Sequence, residues 1–365
     1  MFTYITVVHQ VNSCQPKYEG AAMIQTSYRP HWIREDFVDY VLGQVNPMWT
    51  WQRVMARVEA IEPIADDMIK LTLSANKHFN PALIQAGQFV MLTVRIDGIQ
   101  HQRAYSLVSS PDSKTLVFGI KKQGRVSRYL ADRAQVGDVI EISQASGEFT
   151  LNDTPAAKLF VSAGSGITPI VPMIKQALSG SNTDAVTLIY YSRDPAFRAE
   201  LEALAAQHPL FTLHIIVDSA EKPAFFNAEA LDRLCPDADK RDTYVCAAPG
   251  LMKATRLLWA ERGWSNRIKQ ESFLPITVDE NATAVPVTFR RSQRDFEAKG
   301  NLLASAEAAG LKPAFGCRMG ICNTCVCTKV SGTVRNLATG ELNDQNNVQI
   351  KLCVSEAVSP VHIDL

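Results

Sequence analysis

The stretch "AFGCRMGICNTCVC", residues 314–327, places Cys317, Cys322, Cys325 and Cys327 within eleven positions, and Cys353 follows in "KLCVS". No other feature limits the fold as much. Thiols this crowded are bound to a metal, joined as disulfides or buried as small hydrophobes. The remaining three of the eight cysteines, Cys14, Cys235 and Cys246, are scattered. A disulfide framework suits short secreted chains, and this one has 365 residues. A structural zinc site would show two C-x2-C knuckles, and only Cys322 with Cys325 forms one. The last fifty residues therefore read as a separate module folded around a metal centre.

The spacing Cys317-x4-Cys322-x2-Cys325, closed by the distant Cys353, is the plant-type [2Fe–2S] pattern. Three thiolates from one tight loop wrap such a cluster and a fourth from a remote strand completes it. Gly320 lets the backbone approach, leaving amide N–H groups to point at sulfur. Those hydrogen bonds help to set a potential of about −400 mV in this class. Cys327 is the surplus thiol. It shares a strand face with Cys325 and reads as a small buried hydrophobe.

A hydrophobic fraction of 46%, a charged fraction of 20% and a formal net charge of zero describe an ordinary soluble protein. Nothing in them points to nucleic acid or an anionic membrane. The length predicts two or three domains, at roughly 100–200 residues each. No apolar run reaches the roughly 18–20 residues that span a bilayer. "MFTYITVV" is short and follows no basic region, which argues against a signal peptide. A cytoplasmic monomer is expected. The seven histidines lie far apart, with no H-x-x-H pair, so no further catalytic iron or zinc site is expected.

Residues 1–50 form an extension in which "REDFVDYVLGQV" (34–45) has helical apolar spacing, stopped by "NPMW". Residues 51–152 hold short runs of Val, Ile and Thr between polar turns, which predicts an antiparallel barrel with one helix at "VSRYLADR". Residues 153–275 alternate strands with helices and predict a parallel, doubly wound α/β sheet. Residues 276–285 read as a linker. Residues 286–365 begin with a strand, "VPVTFRR", and a helix, "LLASAEAAG", that ends at Gly310. They predict an α+β, β-grasp module carrying the cysteines.

"LFVSAGSGITPIVPM" (159–173) reads as a strand, a Gly-rich turn and a helix start. Gly164 and Gly166 permit close approach of a pyrophosphate, Thr168 suits the N-cap and Pro169 the first helical position. The helix N-terminus then faces an anion. Taken alone, the turn is equally a plain tight turn. Its setting adds weight. "RAYSLVSS" (103–110), then "VFGIKKQGRVSRYL", then this turn, then "CAAPGLM", in that order, resemble the ferredoxin–NADP reductase superfamily over roughly residues 51–275. The cysteine module resembles that superfamily's frequent C-terminal ferredoxin partner.

The resemblance implies a role for each residue. Arg103 neutralises a flavin phosphate, Tyr105 stacks by the isoalloxazine and Ser106 hydrogen-bonds near its N5. Gly124 and Ser127 support the flavin phosphates, which favours FAD over FMN. Gly164, Gly166 and Thr168 hold the nicotinamide dinucleotide, and Cys246 lies beside the nicotinamide. Glu271 and Phe273 close the segment near the flavin. The superfamily's Cys-Gly-Pro is here Cys246-Ala247-Ala248-Pro249, so a methyl replaces a glycine hydrogen next to the nicotinamide. Ser192, Arg193 and Arg198 suit a 2′-phosphate and favour NADPH over NADH, although Asp194 stands among them. Electrons would pass from the nicotinamide through flavin and [2Fe–2S] cluster to a protein acceptor. The segment "HWIREDFVDYVLGQVNPMW" resembles reductase partners of bacterial acyl desaturases, which makes a membrane di-iron fatty-acid desaturase the first acceptor to consider. A Rieske-type or other multicomponent oxygenase, served with NADH, is the alternative. A redox-sensing protein that holds the same groups but turns over slowly is a different class, separated by the rate of ferricyanide reduction.

Overall fold

The computed structural model describes residues 35–109, 115–152, 155–179, 184–217, 226–273 and 282–365. The first 34 residues of the expected extension, and residues 276–281 of the expected linker, lie outside them. The extension's predicted helix is α1 (Glu35–Val45). Its buried Asp39 accepts the Trp51 amide and pairs with Arg53 Nε at 2.7 Å, which ties the helix to the first strand.

The predicted barrel comprises β1 (Val54–Ala65), β2 (Met68–Ala75), β3 (Phe89–Ile96), β4 (Ile99–Ser106), β5 (Leu116–Lys121) and β6 (Val139–Ile142). The six strands run in the order β4-β3-β6-β1-β2-β5 and pair antiparallel. A bridge between Leu107 and Phe118 brings the two edges together. Two register shifts in β1 help the long strand bend around the closure. Alternate residues such as Val58, Leu71, Leu73, Leu92 and Phe118 fill the interior. The helix α2 (Arg125–Asp132) caps one end with Val126 and Leu130.

The second unit alternates β7 (Lys158–Ala163), α3 (Ile167–Ser179), β8 (Val186–Ser192), α4 (Arg198–Gln207), β9 (Phe211–Val217), α5 (Ala228–Leu234), β10 (Asp242–Cys246), α6 (Pro249–Glu261) and β11 (Ile268–Glu271). The sheet is parallel, in the order β11-β10-β7-β8-β9. Both faces are covered, so the central strands β7 and β8 are mostly apolar. Phe160, Leu188 and Tyr190 face one core, while Leu159, Val161 and Ile189 face the other. The edge strand β11 was not anticipated, because Ile268 is the one apolar residue in "IKQE".

The third unit is the predicted α+β module. It has β12 (Val285–Phe289), β13 (Arg294–Ala298), α7 (Leu302–Ala308), β14 (Val326–Ser331), β15 (Val334–Asn336), β16 (Leu342–Asn343), β17 (Val348–Lys351), β18 (Ser355–Ala357) and β19 (Val361–Ile363). Its main sheet runs β13-β12-β19-β14-β17, with β12 parallel to β19. Phe289, Leu302, Leu303, Val361 and Ile363 form its core together with Cys325, Cys327 and Cys353. Val285, placed at the end of the linker by the sequence pattern, already belongs to β12.

The three units meet through shared cores. Met68, Val108 and Phe149 of the barrel side join Phe160, Ile170 and Phe197 of the parallel-sheet unit in one apolar cluster. Phe89 and Met91 of β3 join Cys317, Cys322, Met319 and Ile321 of the cysteine loop in another. The barrel therefore touches both neighbours. Among the described residues, no helix is long and apolar enough to cross a membrane.

One buried charge staples the cysteine module. Lys329 on β14 is fully buried, and its ammonium donates to the carbonyls of Gly332 (2.6 Å), Asn343 (3.2 Å) and Gln345 (2.6 Å). Burial lowers its pKa, and the three carbonyls stand in for the lost water. Lys329→Met leaves these carbonyls unpaired and should cost about 2–4 kcal/mol of the module's stability. Thermal loss of the cluster's visible absorption should occur several degrees lower than in the wild type. An unchanged midpoint would show that water replaces the ammonium.

Candidate electron-transfer site

The four predicted ligands lie together. Cys317, Cys322, Cys325 and Cys353 are all buried, and their thiols form a continuous chain of contacts in the order Cys322, Cys317, Cys353, Cys325. Cys325 and Cys353 are 3.2 Å apart at sulfur. The loop backbone turns its amides inward. Cys317 N donates to Cys322 Sγ at 3.1 Å, Cys322 N to Cys317 Sγ at 3.2 Å and Met319 N to Cys317 Sγ at 3.4 Å. The hydrogen bond from Cys322 and these amides favour the Cys317 thiolate. Among the described residues no three His, Cys, Asp or Glu gather as a single-ion site. The sulfur cradle and its inward amides fit a two-iron cluster.

Local chemistry holds this loop in shape. Gly320 has φ +78°, and a Cβ there would stand 2.7 Å from Val354 Cγ1, so only glycine fits. Lys351 Nζ donates to the Gly320 carbonyl at 2.7 Å, and Asn301 Nδ2 donates to the Cys353 carbonyl. Arg318 forks onto Glu307 at 2.6 and 2.7 Å and covers the Phe315 ring. Cys327 points into the module's core, where burial pushes its thiol up to about 12. It stands outside the sulfur chain.

The flavin candidates lie on β4, whose partner β3 touches the cysteine loop. Phe89 pairs with Ser106, Val90 with Tyr105 and Met91 with Ala104. Alternation puts Ala104 and Ser106 on the loop's side, and Tyr105 against the barrel core. The Ser106 hydroxyl is buried with no partner among the described residues, as expected of a group kept for a ligand. Burial raises the Tyr105 phenol well above its usual range. Arg103 is exposed, and its Nη1 donates to the Gln102 carbonyl at 2.7 Å. Ser127 accepts from the amides of Gln123 (3.1 Å) and Gly124 (2.9 Å), and so caps the start of α2.

A cleft of about 590 Å³ separates the barrel from the parallel-sheet unit. Gly164, Gly166, Ser192, Arg193, Cys246 and Phe273 line it. Gly164 has φ +54° and lines the cleft, with Lys121 Nζ 4.0 Å from where its Cβ would stand. Gly166 answers a different need. A Cβ there would fall on the Cys246 carbonyl oxygen, so the Gly-rich turn packs directly against the end of β10. Thr168 departs from the expected N-cap. The helix α3 already begins at Ile167, and the Thr168 hydroxyl donates back to Ser165 O at 3.0 Å. Arg198 does not line the cleft and instead pairs with Glu202 at 2.8 Å. Pro169 in the first turn is compatible with both settings. Asp66, Asp67, Lys121 and Gln123 complete the cleft from the barrel side. Sequence reasoning missed them, although "KKQG" was in view, because nothing local shows which turn faces a distant sheet.

Cys246 and Glu271 are register neighbours at the ends of β10 and β11. Both are buried, and Glu271 Oε2 has no partner among the described residues. Burial, aided by the negative charge of Cys317, pushes the Glu271 carboxyl up to about 8. Burial, with Glu271 beside it, raises the Cys246 thiol far above its usual range. Glu271 thus stands between the nicotinamide cleft and the cysteine loop. It also borders a cavity of about 890 Å³ between α6, β11 and the cysteine module. Arg256 Nη1 crosses that gap to the Ala338 carbonyl at 2.8 Å.

The same division appears in comparisons with known proteins. The oxidoreductase FAD-binding domain model matches residues 55–151, the oxidoreductase NAD-binding domain model residues 160–257, and the 2Fe-2S iron-sulfur cluster binding domain model residues 287–358. The chain is 30% identical to an NADPH oxidoreductase of Mycobacterium tuberculosis, over 90% of this chain and 88% of that protein. It is also 30% identical to the glycine betaine monooxygenase reductase subunit of Pseudomonas aeruginosa, over 76% and 86%. The solved phthalate dioxygenase reductase superposes with a TM-score of 0.59 at 26% identity, covering 85% of this chain and 97% of that one.

Two sets of variants test these assignments. Cys325→Ala should abolish the cluster's visible spectrum, whereas Cys327→Ala should keep it. Bleaching by both would return Cys327 to the ligand set. Gly166→Ala should raise KM for the nicotinamide cofactor at least tenfold while the flavin and cluster spectra stay intact. A normal KM would show that β10 yields without harm to the cleft.

Proposed function

Because the chain belongs to the ferredoxin–NADP reductase superfamily, in the branch that ends in a [2Fe–2S] domain, we propose that it is the reductase component of a multicomponent oxygenase and draws on NADPH. When bound, the nicotinamide would supply one hydride, and the flavin and the cluster would supply the means to pass its two electrons on singly. This chain's residues bind and orient. Arg103, Tyr105 and Ser106 would hold the flavin on β4. Gly164, Gly166, Ser192, Arg193 and Phe273 would hold the nicotinamide dinucleotide. Cys317, Cys322, Cys325 and Cys353 would hold the cluster. Cys246 and Glu271 would bound the nicotinamide end, where burial pushes the Glu271 carboxyl up to about 8.

The observation that carries this reading is the direct packing of the cysteine loop on β3, one strand from the flavin residues. Electron transfer needs short separation, and no other unit intervenes. NADPH is supported by Ser192 and Arg193 in the cleft and by the NADPH oxidoreductase among the relatives. For the acceptor, the comparisons favour the second of the two candidates. The glycine betaine monooxygenase reductase subunit and the phthalate dioxygenase reductase are both named for an oxygenase, and the desaturase rests on the extension alone. Of that segment, residues 35–49 are described, and Phe37, Tyr40, Val41 and Val45 of α1 are exposed.

Reconstitution tests the proposal. With NADPH and a candidate Rieske-type or related oxygenase, the chain should support product formation, and Cys353→Ala should lower it at least a hundredfold. The same variant should keep NADPH–ferricyanide reduction within about threefold, since the flavin can serve that acceptor. Equal loss of both activities would place the cluster elsewhere in the sequence of carriers. Coupling to a desaturase and to no oxygenase would restore the first candidate.

A further inference from the structure

Resting on the NADPH reading, we propose that Asp194 is a positioning residue that fastens the barrel across the nicotinamide cleft and leaves the reading of the cofactor to Arg193. One wall of the cleft is the Asp66–Asp67 turn between β1 and β2, with Lys121 and Gln123 from the end of β5. The other wall is the end of β8, from Tyr191 to Asp194. Asp194 Oδ2 accepts the Asp66 backbone N–H at 2.7 Å, a bond that crosses from the parallel sheet to the barrel. The Ser192 hydroxyl donates to the Asp194 carbonyl at 2.8 Å and sets the turn that aims the carboxylate.

An acid after the second strand of such a sheet ordinarily takes the adenosine ribose hydroxyls and selects NADH. Asp194 has the right sequence position, but its carboxylate is engaged on a barrel amide. A carboxylate on an N–H is a charge-assisted hydrogen bond and roughly twice as strong as a neutral one. The neighbouring charges are arranged to match. Asp67 on the same turn pairs with Lys121 at 3.2 Å, and Lys121 Nζ lies 4.0 Å from where a Cβ of Gly164 would stand. The hairpin tip thus lies over the Gly-rich turn, with Asp194 holding one of its residues and Lys121 the other. Arg193 remains as the cleft's cation from β8, since Arg198 is paired with Glu202.

The test uses the intact holoprotein. Asp194→Ala should raise KM for NADPH and for NADH by the same factor, about fivefold for loss of one charge-assisted bond. Hydrogen–deuterium exchange in peptides covering residues 62–70 should speed up in that variant. Asp194→Asn keeps an acceptor oxygen and should stay within twofold on both cofactors, with the turn still protected. A KM rise for NADH alone, or unchanged KM for both cofactors in Asp194→Ala, overturns the proposal. A wild-type preference for NADH would sink the NADPH reading, while the equal-factor test of Asp194 would still stand.

Discussion

The contact of Phe89 and Met91 with Cys317 and Cys322 is the constraint on which the rest of the structure depends. Strand β3 offers one face to the barrel interior through Val90 and Leu92, and the opposite face to the cysteine loop. A strand has just two faces, so β4, the strand proposed to hold the flavin, and the sulfur cradle are both fixed to β3. The parallel sheet joins through the separate cluster around Met68, Val108 and Phe149. Apolar burial of this kind is non-directional and tolerant, whereas the groups it brings together need fixed separations. The barrel supplies the rigid frame, and the two outer units dock on it.

The polar groups left unpaired are the complement of that frame. Among the described residues seven buried side-chain polar atoms have no partner, and three of them, Ser106 Oγ, Ser162 Oγ and Glu271 Oε2, lie on β4, β7 and β11. An orphaned group is costly unless something fills its shell. Ser106 lies on β4, the strand proposed to hold the flavin, and Glu271 sits beside Cys246 and borders the cavity next to the cysteine module. Arg241 shows the contrast. It donates to Asp237, to two carbonyls and to Thr187, and it is purely a fastening at the far end of the sheet.

The legibility of this chain follows the range of the forces involved. Cysteine spacing was readable because ligation by one loop is a local geometric demand, and three of the four ligands lie within nine residues. The barrel and the parallel sheet were readable from periodicity and turn residues. Thr168 stands two positions past the N-cap, because N-cap preference is weaker than the packing that starts α3 at Ile167. Gly166 looked like a concession to a phosphate, and the structure adds the carbonyl of Cys246, which no local pattern could show. Arg198 was grouped with the cleft by proximity in sequence, yet one helical turn carries it away toward Glu202. Asp66 and Asp67 escaped notice altogether, since a hairpin tip becomes functional only through what stands opposite.

The burial of the sulfur loop has a consequence for its exposure to solvent. Cys317 is 2% exposed and Cys322 8%, and both pack with Phe89 and Met91. The seam between the cysteine module and the barrel is thus part of the wall around these two sulfurs, and a change on β3 alters their surroundings without touching a ligand.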